Sequence, residues 1–532
     1  MTAYVFIDVS RKQEYIFRHN QLRLNLYHSA VIKLLTEAVP DFPHTKYKHL
    51  TLSKFLENEF SGQYEFVYSG GGNSIIRWDD GKLAEAFIAR YTTRVLTEYP
   101  ELEMYISLVH DSEIRTDGNT SPNVTIWKKL IELSDRLKDR RRARFQRWSY
   151  GIEQIGETGL PVVDERFVGT NDLQGQIKLV KGYLKDRFTK ILGDASLLQY
   201  TDELQNYRQD DEGNSYIGVI AIDGNRMGEM FSQLTSFEAR SHFSSAIEEL
   251  YGEAIVKGLN RTAEQLNLKS LLFTPVIMSG DDACVIVPAS TAVQAAANIV
   301  RMIHELSRNS RVWALFSDRP EAHDPQLHAC AGVAIARYSY PFFELVRRAE
   351  AKCRDAKEAI HRLSDGDDES ANASFLDWVI VQGQTESSEE PKYNRYGEKL
   401  QLRPLRLDGD PPAVQDGIYS YRAFMDLALR LKQAIESEEA DKKISQSLLT
   451  DLKRMVHAGW DVYRTYLEMK RTSDVMRLTD LVKDIYGPNE MATIKEYPSD
   501  KPETRTYLLS DVLQILRFIQ PVREDKTNAI AH

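Results

Sequence analysis

Cysteine is scarce: the chain holds three in 532 residues, Cys284, Cys330 and Cys353. They are far apart and lack metal-ligand spacing, which excludes a zinc ribbon and a disulfide scaffold. Each sits in an apolar stretch and reads as a small buried hydrophobe. No run of about 18 apolar residues occurs, so no membrane-spanning helix is expected. The N-terminus, Met1 to Asp8, lacks a basic leader and reads as a strand, so a cytoplasmic location is expected. No Gly-x-x-x-x-Gly-Lys-Ser/Thr loop is present, which argues against a P-loop ATPase. An excess of cations is also missing: 68 Lys and Arg stand against 78 Asp and Glu, a net charge of −10. That balance argues against a protein coated in nucleic acid but leaves room for a local basic stripe. One such stripe is Arg136–Arg147, whose cations could contact RNA phosphates; a solvated or subunit-facing helix fits it equally.

What is there begins with length. A chain of 532 residues is too long for one core and implies two to four domains. An apolar run at 3–8 reads as a buried strand, and helical periodicity follows over 20–40. Strands at 64–68 and 74–78 flank Ser69-Gly70-Gly71-Gly72-Asn73, a tight hairpin. A helix over 80–98 and a strand over 103–109 complete the series. The same order returns with a strand at 218–223, a helix over 236–266, strands at 271–278 and 283–287 around Ser279-Gly280-Asp281-Asp282, a helix over 291–307 and a strand over 328–336. Gly71-Gly72-Asn73-Ser74 mirrors Ser279-Gly280-Asp281-Asp282. The fold class expected is therefore α+β: two ferredoxin-like palm units (βαββαβ), a helical linker and a C-terminal helical bundle. The boundaries read as a degenerate first palm over 1–112, a linker over 113–214, a second, catalytic palm over 215–385 and a helical domain over 386–532.

In a ferredoxin-like unit the first strand lies beside the third. The end of the first strand then adjoins the hairpin, which brings Asp223 next to Asp281 and Asp282. Three carboxylates at one sheet edge repel each other and call for a cation. Hard oxygen ligands suit Mg²⁺ or Mn²⁺, and two such ions are expected, held by Asp223, Asp281 and Asp282. Gly280 leaves the hairpin bare where a nucleotide would approach. The alternative is a plain Asp-Asp turn at Asp281 and Asp282 with Asp223 as a helix N-cap; the register of the three favours the metal site. Lys357, on a helix over about 342–362, could reach triphosphate oxygens, although an isolated helix lysine is more often solvated.

The segments Ile217–Gly228, Met278–Asp282 and Ala331–Ala336 resemble the large palm-domain subunit of type III CRISPR effector complexes. Asp8–Phe17 and Ser69–Asn73 resemble the first, non-catalytic palm of that family. Ala349–Lys357 is similar to the phosphate-binding helix of diguanylate cyclases. The resemblance implies ATP as substrate and a cyclic oligoadenylate as product, made at a Gly-Gly-Asp-Asp motif. Ser279 stands here where the family has the first glycine. The family's amino-terminal nuclease domain and zinc-binding cysteines find no counterpart. DNA cleavage is not expected, since His110-Asp111 and His323-Asp324 are isolated pairs.

The function expected is thus a nucleotidyltransferase that makes a cyclic-oligonucleotide second messenger in antiviral defence. Ser279, Gly280 and Lys357 are the nucleotide contacts expected on the second palm, and Ser69, Gly71, Gly72 and Asn73 those on the first. The partners implied are ATP or other NTPs, RNA, and subunits of an RNA-guided complex. A non-catalytic nucleotide-binding scaffold in such a complex is the alternative from another class. A diguanylate or mononucleotide cyclase is a third reading, disfavoured by the paired palms.

Overall fold

A computed structural model of the chain describes residues 1–19, 21–39, 51–99, 101–114, 121–140, 180, 182, 197–208, 215–316, 326–363, 373–381, 391–409, 411–439, 441–470, 472–496 and 504–520. His323, Asp324 and the stripe beyond Arg140 lie outside the described residues.

The first sheet holds β1 (Ala3–Val9), β2 (Tyr64–Gly70), β3 (Asn73–Trp78) and β4 (Met104–His110), in the order β2-β3-β1-β4. Its strands alternate or run fully apolar, as strands covered by helices do. Val5, Ile7, Ile76 and Trp78 are buried beneath the helices Leu22–Thr36, Leu52–Phe60 and Gly81–Glu98. Asp80 caps the last of these, its carboxylate accepting from Lys82 N.

After β5 (Leu198–Tyr200), the second palm is built from β6 (Tyr216–Gly224), β7 (Leu271–Ser279), β8 (Asp282–Pro288) and β9 (Ala329–Arg337). Their order, β7-β8-β6-β9, repeats that of the first palm. The central strand β6 is flanked by β8 and β9, both antiparallel to it. This is the arrangement expected from the sequence, with tandem palm-like units and a helical C-terminal region.

The second sheet is wider than a bare palm. β5 adds to the β7 edge, and β10 (Phe375–Ile380) pairs parallel to β9. β11 (Leu405–Arg406), β12 (Val414–Gln415) and β13 (Ile418–Ser420) carry it to nine strands. The C-terminal region is therefore stitched into this sheet before its helices Tyr421–Glu436, Gln446–Ala458, Trp460–Lys470 and Ser473–Tyr486 begin. The helical pattern over 444–466 is broken at Gly459, whose φ of +93° no helix accommodates.

One face of the second sheet packs under Phe237–Gln265, Ala289–Ser307 and the C-terminal helices. The other packs against Phe342–Leu363 and shares a core with the first palm. Cys284, Cys330 and Cys353 are buried there, as expected.

The two hairpins correct one detail of the internal repeat. Gly70 pairs with Asn73 and Ser279 with Asp282, so Gly71 corresponds to Gly280, Gly72 to Asp281 and Asn73 to Asp282. The mirror read from sequence is off by one residue. Matching φ angles of +63° at Gly71 and +64° at Gly280 fix the register.

Candidate active site

Asp223 is the penultimate residue of β6, and the β7–β8 turn stands beside it. Gly224 is where they meet: a Cβ there would lie 2.6 Å from Tyr251 Oη and 3.0 Å from Asp281 Cβ. Only glycine permits that approach. Gly280, in the left-handed region, has nothing within 4 Å of a would-be Cβ and faces open space.

The three carboxylates feel one another. Burial first, then the charge of Asp223, holds the Asp281 carboxyl above its ordinary range. Asp282 is pushed up to about 7 by burial among the cleft walls and then by Asp223 and Asp281. Its side chain is nonetheless exposed to the cleft, so the desolvation comes from the surrounding walls. Lys357 supplies the local counter-charge: its Nζ lies 2.5 Å from Asp223 Oδ2 and donates to Gly224 O at 2.9 Å.

The Tyr251 hydroxyl is a second sign of an incomplete site. It is buried, with no hydrogen-bond partner among the described residues, and it feels Asp281, Asp223 and Asp282 together. A buried hydroxyl without a partner is costly. Here it is a donor placed beside acceptors that would share it with metal-bound water. The donor set, hard carboxylate oxygens with one lysine among three acids, fits a divalent ion. As they stand, no three His, Cys, Asp or Glu side chains among the described residues are gathered to hold one ion. Asp223 would have to exchange Lys357 for metal.

A cleft of about 1000 Å³ joins this centre to the first palm. Asp223, Gly280, Asp281 and Asp282 line one side, and Lys12, Lys33, Gly71 and Gly72 the other. The expected Ser279, Gly280, Gly71 and Gly72 thus reach the cleft. Ser69 and Asn73 are not among its lining. Ser69 Oγ accepts instead from Ala38 N at 2.8 Å, inside the first palm. The Gly72 amide donates to Glu37 Oε1 at 2.7 Å, and Lys12 Nζ donates to Gly71 O at 3.0 Å.

The first palm carries a vestige of the same centre. Asp8 holds the β1 position that Asp223 holds on β6. Lys138 lies 2.8 Å and Lys12 3.7 Å from its carboxylate, as Lys357 lies against Asp223. Arg11 and Arg226, each three residues further on, both cap a helix in the left-handed conformation. Each pairs with a glutamate three residues later, Glu14 or Glu229. The repeated spacing Asp-x-x-Arg-x-x-Glu was visible in the sequence and would have located Asp8. Tyr251 leaves no such signal, since helix–sheet packing alone brings it to the site.

Several contacts clamp the palms together. Lys33 Nζ meets Glu248 Oε1 at 2.9 Å, and Gln13 Nε2 donates to Glu350 Oε1 at 2.7 Å. At Gly70 a Cβ would strike Ser244 Oγ at 2.2 Å, so the absence of a side chain there admits the helix Phe237–Gln265.

Comparison with known proteins bears on the fold. Residues 216–364 match the family described as Cas10/Cmr2, second palm domain. No curated protein matches. Among solved structures, Csm1 of T. onnurineus is similar, with 14% identity, a TM-score of 0.55, and coverage of 97% of this chain and 69% of that one. A Csm1–Csm4 cassette in complex with one ATP matches with 13% identity, TM-score 0.54, and 97% and 70% coverage. A Csm1–Csm4 cassette in complex with cA4 matches with 14% identity, TM-score 0.51, and 98% and 70% coverage. At such identity the likeness concerns the fold. Among the described residues no helix is long and apolar enough to cross a membrane. Residues 216–364 are therefore similar to the second palm domain of the Cas10/Cmr2 family, within a chain whose fold is like that of Csm1.

Proposed function

We propose that this chain is a nucleotidyltransferase that joins ATP into a cyclic oligonucleotide, an oligoadenylate-like second messenger of antiviral defence. One observation carries the reading: the acidic hairpin of the second palm and the glycine hairpin of the first face the same cleft within one chain. A transfer between two nucleotides needs the 3′-hydroxyl of one held against the α-phosphate of the other. Two facing palms meet that need without a second copy.

In this reading Asp223, Asp281 and Asp282 hold two Mg²⁺ or Mn²⁺ ions. Such ions supply Lewis-acid polarisation of the α-phosphate and lower the pKa of the attacking hydroxyl. Gly280 lets the donor nucleotide lie against the hairpin backbone. Lys357 has two duties: it neutralises Asp223 in the metal-free protein, and once displaced it is a cation for the triphosphate. Lys12 and Lys33, on the opposite wall, offset the charge of the acceptor nucleotide beside Gly71 and Gly72. The relatives crystallised with Csm4 support a partner subunit of that kind, and with it a place in an RNA-guided complex.

The pairing of Lys357 with Asp223 is also what a scaffold that binds nucleotide without turnover would show. Purified chain incubated with each of the four NTPs and Mg²⁺ or Mn²⁺, followed by mass spectrometry, separates the readings. A cyclic adenylate oligomer from ATP is expected. Intact ATP, with nucleotide bound, would leave the scaffold.

A further inference from the structure

The far end of β6 carries a second concentration of charge. Tyr216 opens the strand and stands seven residues before Asp223, about 23 Å away along an extended chain. It pairs across the sheet with Arg337, the last residue of β9. The amides of Tyr338 and Tyr340, bonded to Ser215 O and Arg337 O, fix the chain as it leaves that strand. From the C-terminal region, the turn Leu516–Phe518 brings Arg517 to the same phenol. The Arg517 guanidinium lies 4.6 Å from the Tyr216 ring centre and 4.3 Å from that of Phe518, and the two rings meet edge to face at 5.3 Å. Arg337 flanks the Tyr216 ring at 6.0 Å. Phe518 is buried and anchors the turn, whereas both arginines are exposed.

Other exposed arginines are neutralised by an acid one helical turn away, as in Arg226–Glu229, Arg430–Asp426 and Arg464–Glu468. Arg337 and Arg517 differ. Neither makes an ion pair with a carboxylate among the described residues, and the Tyr216 hydroxyl is the acceptor they share. Burial would raise that phenol, but the hydrogen bonds and charges of Arg337 and Arg517 outweigh it and hold the group below its ordinary range. Lys432 adds a cation beside the turn, its Nζ donating to Ile519 O. The exposed Glu436 lies one turn further along the same helix as Lys432. Asp511, on the approach to Arg517, is buried against Arg403. Asp210, Asp211 and Glu212 precede β6 in sequence and lie outside the described residues. Two guanidinium forks around one hydroxyl have donors to spare, and such forks match phosphate oxygens in pairs.

We infer that Arg337, Arg517 and Tyr216 form a phosphate-binding site, at the end of the second palm sheet remote from the carboxylates. It takes one phosphate group, with the guanidinium forks on its oxygens and the Tyr216 hydroxyl as a further donor. Inorganic phosphate and a phosphodiester of a nucleic-acid backbone present the same oxygens to it. None of the three residues lines the cleft, so the site stands apart from the nucleotidyltransferase reading.

Two measurements in EDTA test it, on wild type and on Arg337→Gln/Arg517→Gln, with folding checked by thermal melting. The first reads Tyr216 ionisation from ultraviolet difference spectra against Tyr216→Phe in each background, in inorganic phosphate and in chloride of equal ionic strength. A bound anion offsets the two guanidiniums, so phosphate should move the ionisation to higher pH in wild type and leave it unmoved in the double variant. The second titrates a short fluorescein-labelled oligouridylate by anisotropy. An affinity about tenfold weaker in the double variant, with the slope against salt reduced by about one, assigns the site to a backbone phosphate. Equal affinity alongside the Tyr216 shift assigns it to the free ion. Arg337→Gln alone, at an exposed position, repeats the comparison should the pair of substitutions unfold the chain, with a smaller loss in the same direction. Wild type that shows neither the shift nor arginine-dependent oligouridylate binding overturns the site, as it would if carboxylates of the chain itself already held both arginines.

Discussion

At the scale of single residues, the candidate site is a set of charges and one hydroxyl held together before any cation arrives. Asp282 illustrates the sign. Its carboxyl ionises near 4 in the unfolded chain and near about 7 in the fold. A raised carboxylate costs stability once ionised, so the penalty is absent below about pH 4 and grows through pH 7. Asp281→Asn/Asp282→Asn should therefore raise the melting temperature in EDTA at pH 8, with a much smaller effect at pH 4.5. A variant that melts lower than wild type at pH 8 would contradict the repulsion argued here. Tyr251→Phe removes a buried hydroxyl that lacks a partner. Its stability in EDTA should match or exceed that of wild type, and Mn²⁺ binding read by electron paramagnetic resonance should weaken. A stability loss above about 1 kcal/mol, the worth of an ordinary hydrogen bond, would show that the hydroxyl already has an acceptor.

At the scale of elements, the hairpin turns explain their glycines. Gly71 and Gly72 have φ of +63° and +76°, so that turn needs two left-handed residues, whereas the second palm needs only Gly280. Gly70 is different, because Ser244 crowds it. Gly70→Ala should loosen the packing of the first hairpin on Phe237–Gln265, with a drop in melting temperature. Adding Ser244→Ala should return part of it, since the nearest atom is the serine oxygen. Equal melting of Gly70→Ala and wild type would rule out that contact. The strand and helix order of both palms was legible because each element carries its own period and the hairpins carry glycine. The hairpin register was not, since a one-residue shift leaves the glycine pattern unchanged and only cross-strand pairing resolves it. Asp223, Asp281 and Asp282 could be grouped from topology alone. Lys357 was recognised as a cation near phosphate, but its 2.5 Å pairing with Asp223 depends on how Phe342–Leu363 lies on β9. Tyr251 was hidden because a buried helical tyrosine looks like core until its hydroxyl is located.

At the scale of the whole molecule, the C-terminal region is fastened to the second palm by a buried ion triad. Arg403 reaches Asp511 at 3.1 Å and Asp377 at 3.5 Å, with all three side chains almost wholly buried. Arg403→Met would strip the buried Asp511 of its cation and leave Asp377 only Lys352, at 3.9 Å, and should destabilise the chain by about 3–5 kcal/mol, read by thermal unfolding. A change within experimental error would mean that the C-terminal region docks without this triad. The short strands β11, β12 and β13 and these charges were not legible in sequence, because two- and three-residue strands carry no periodicity. The triad, the sheet extension and the palm–palm contacts at Lys33 and Gln13 all serve to hold two hairpins across one cleft. The measurement that bears most directly on that arrangement is synthesis from ATP with Mn²⁺ by wild type and by Asp281→Ala/Asp282→Ala, both shown to be folded and analysed by mass spectrometry. The account predicts oligoadenylate from wild type and none from the variant; undiminished product from the variant would contradict it.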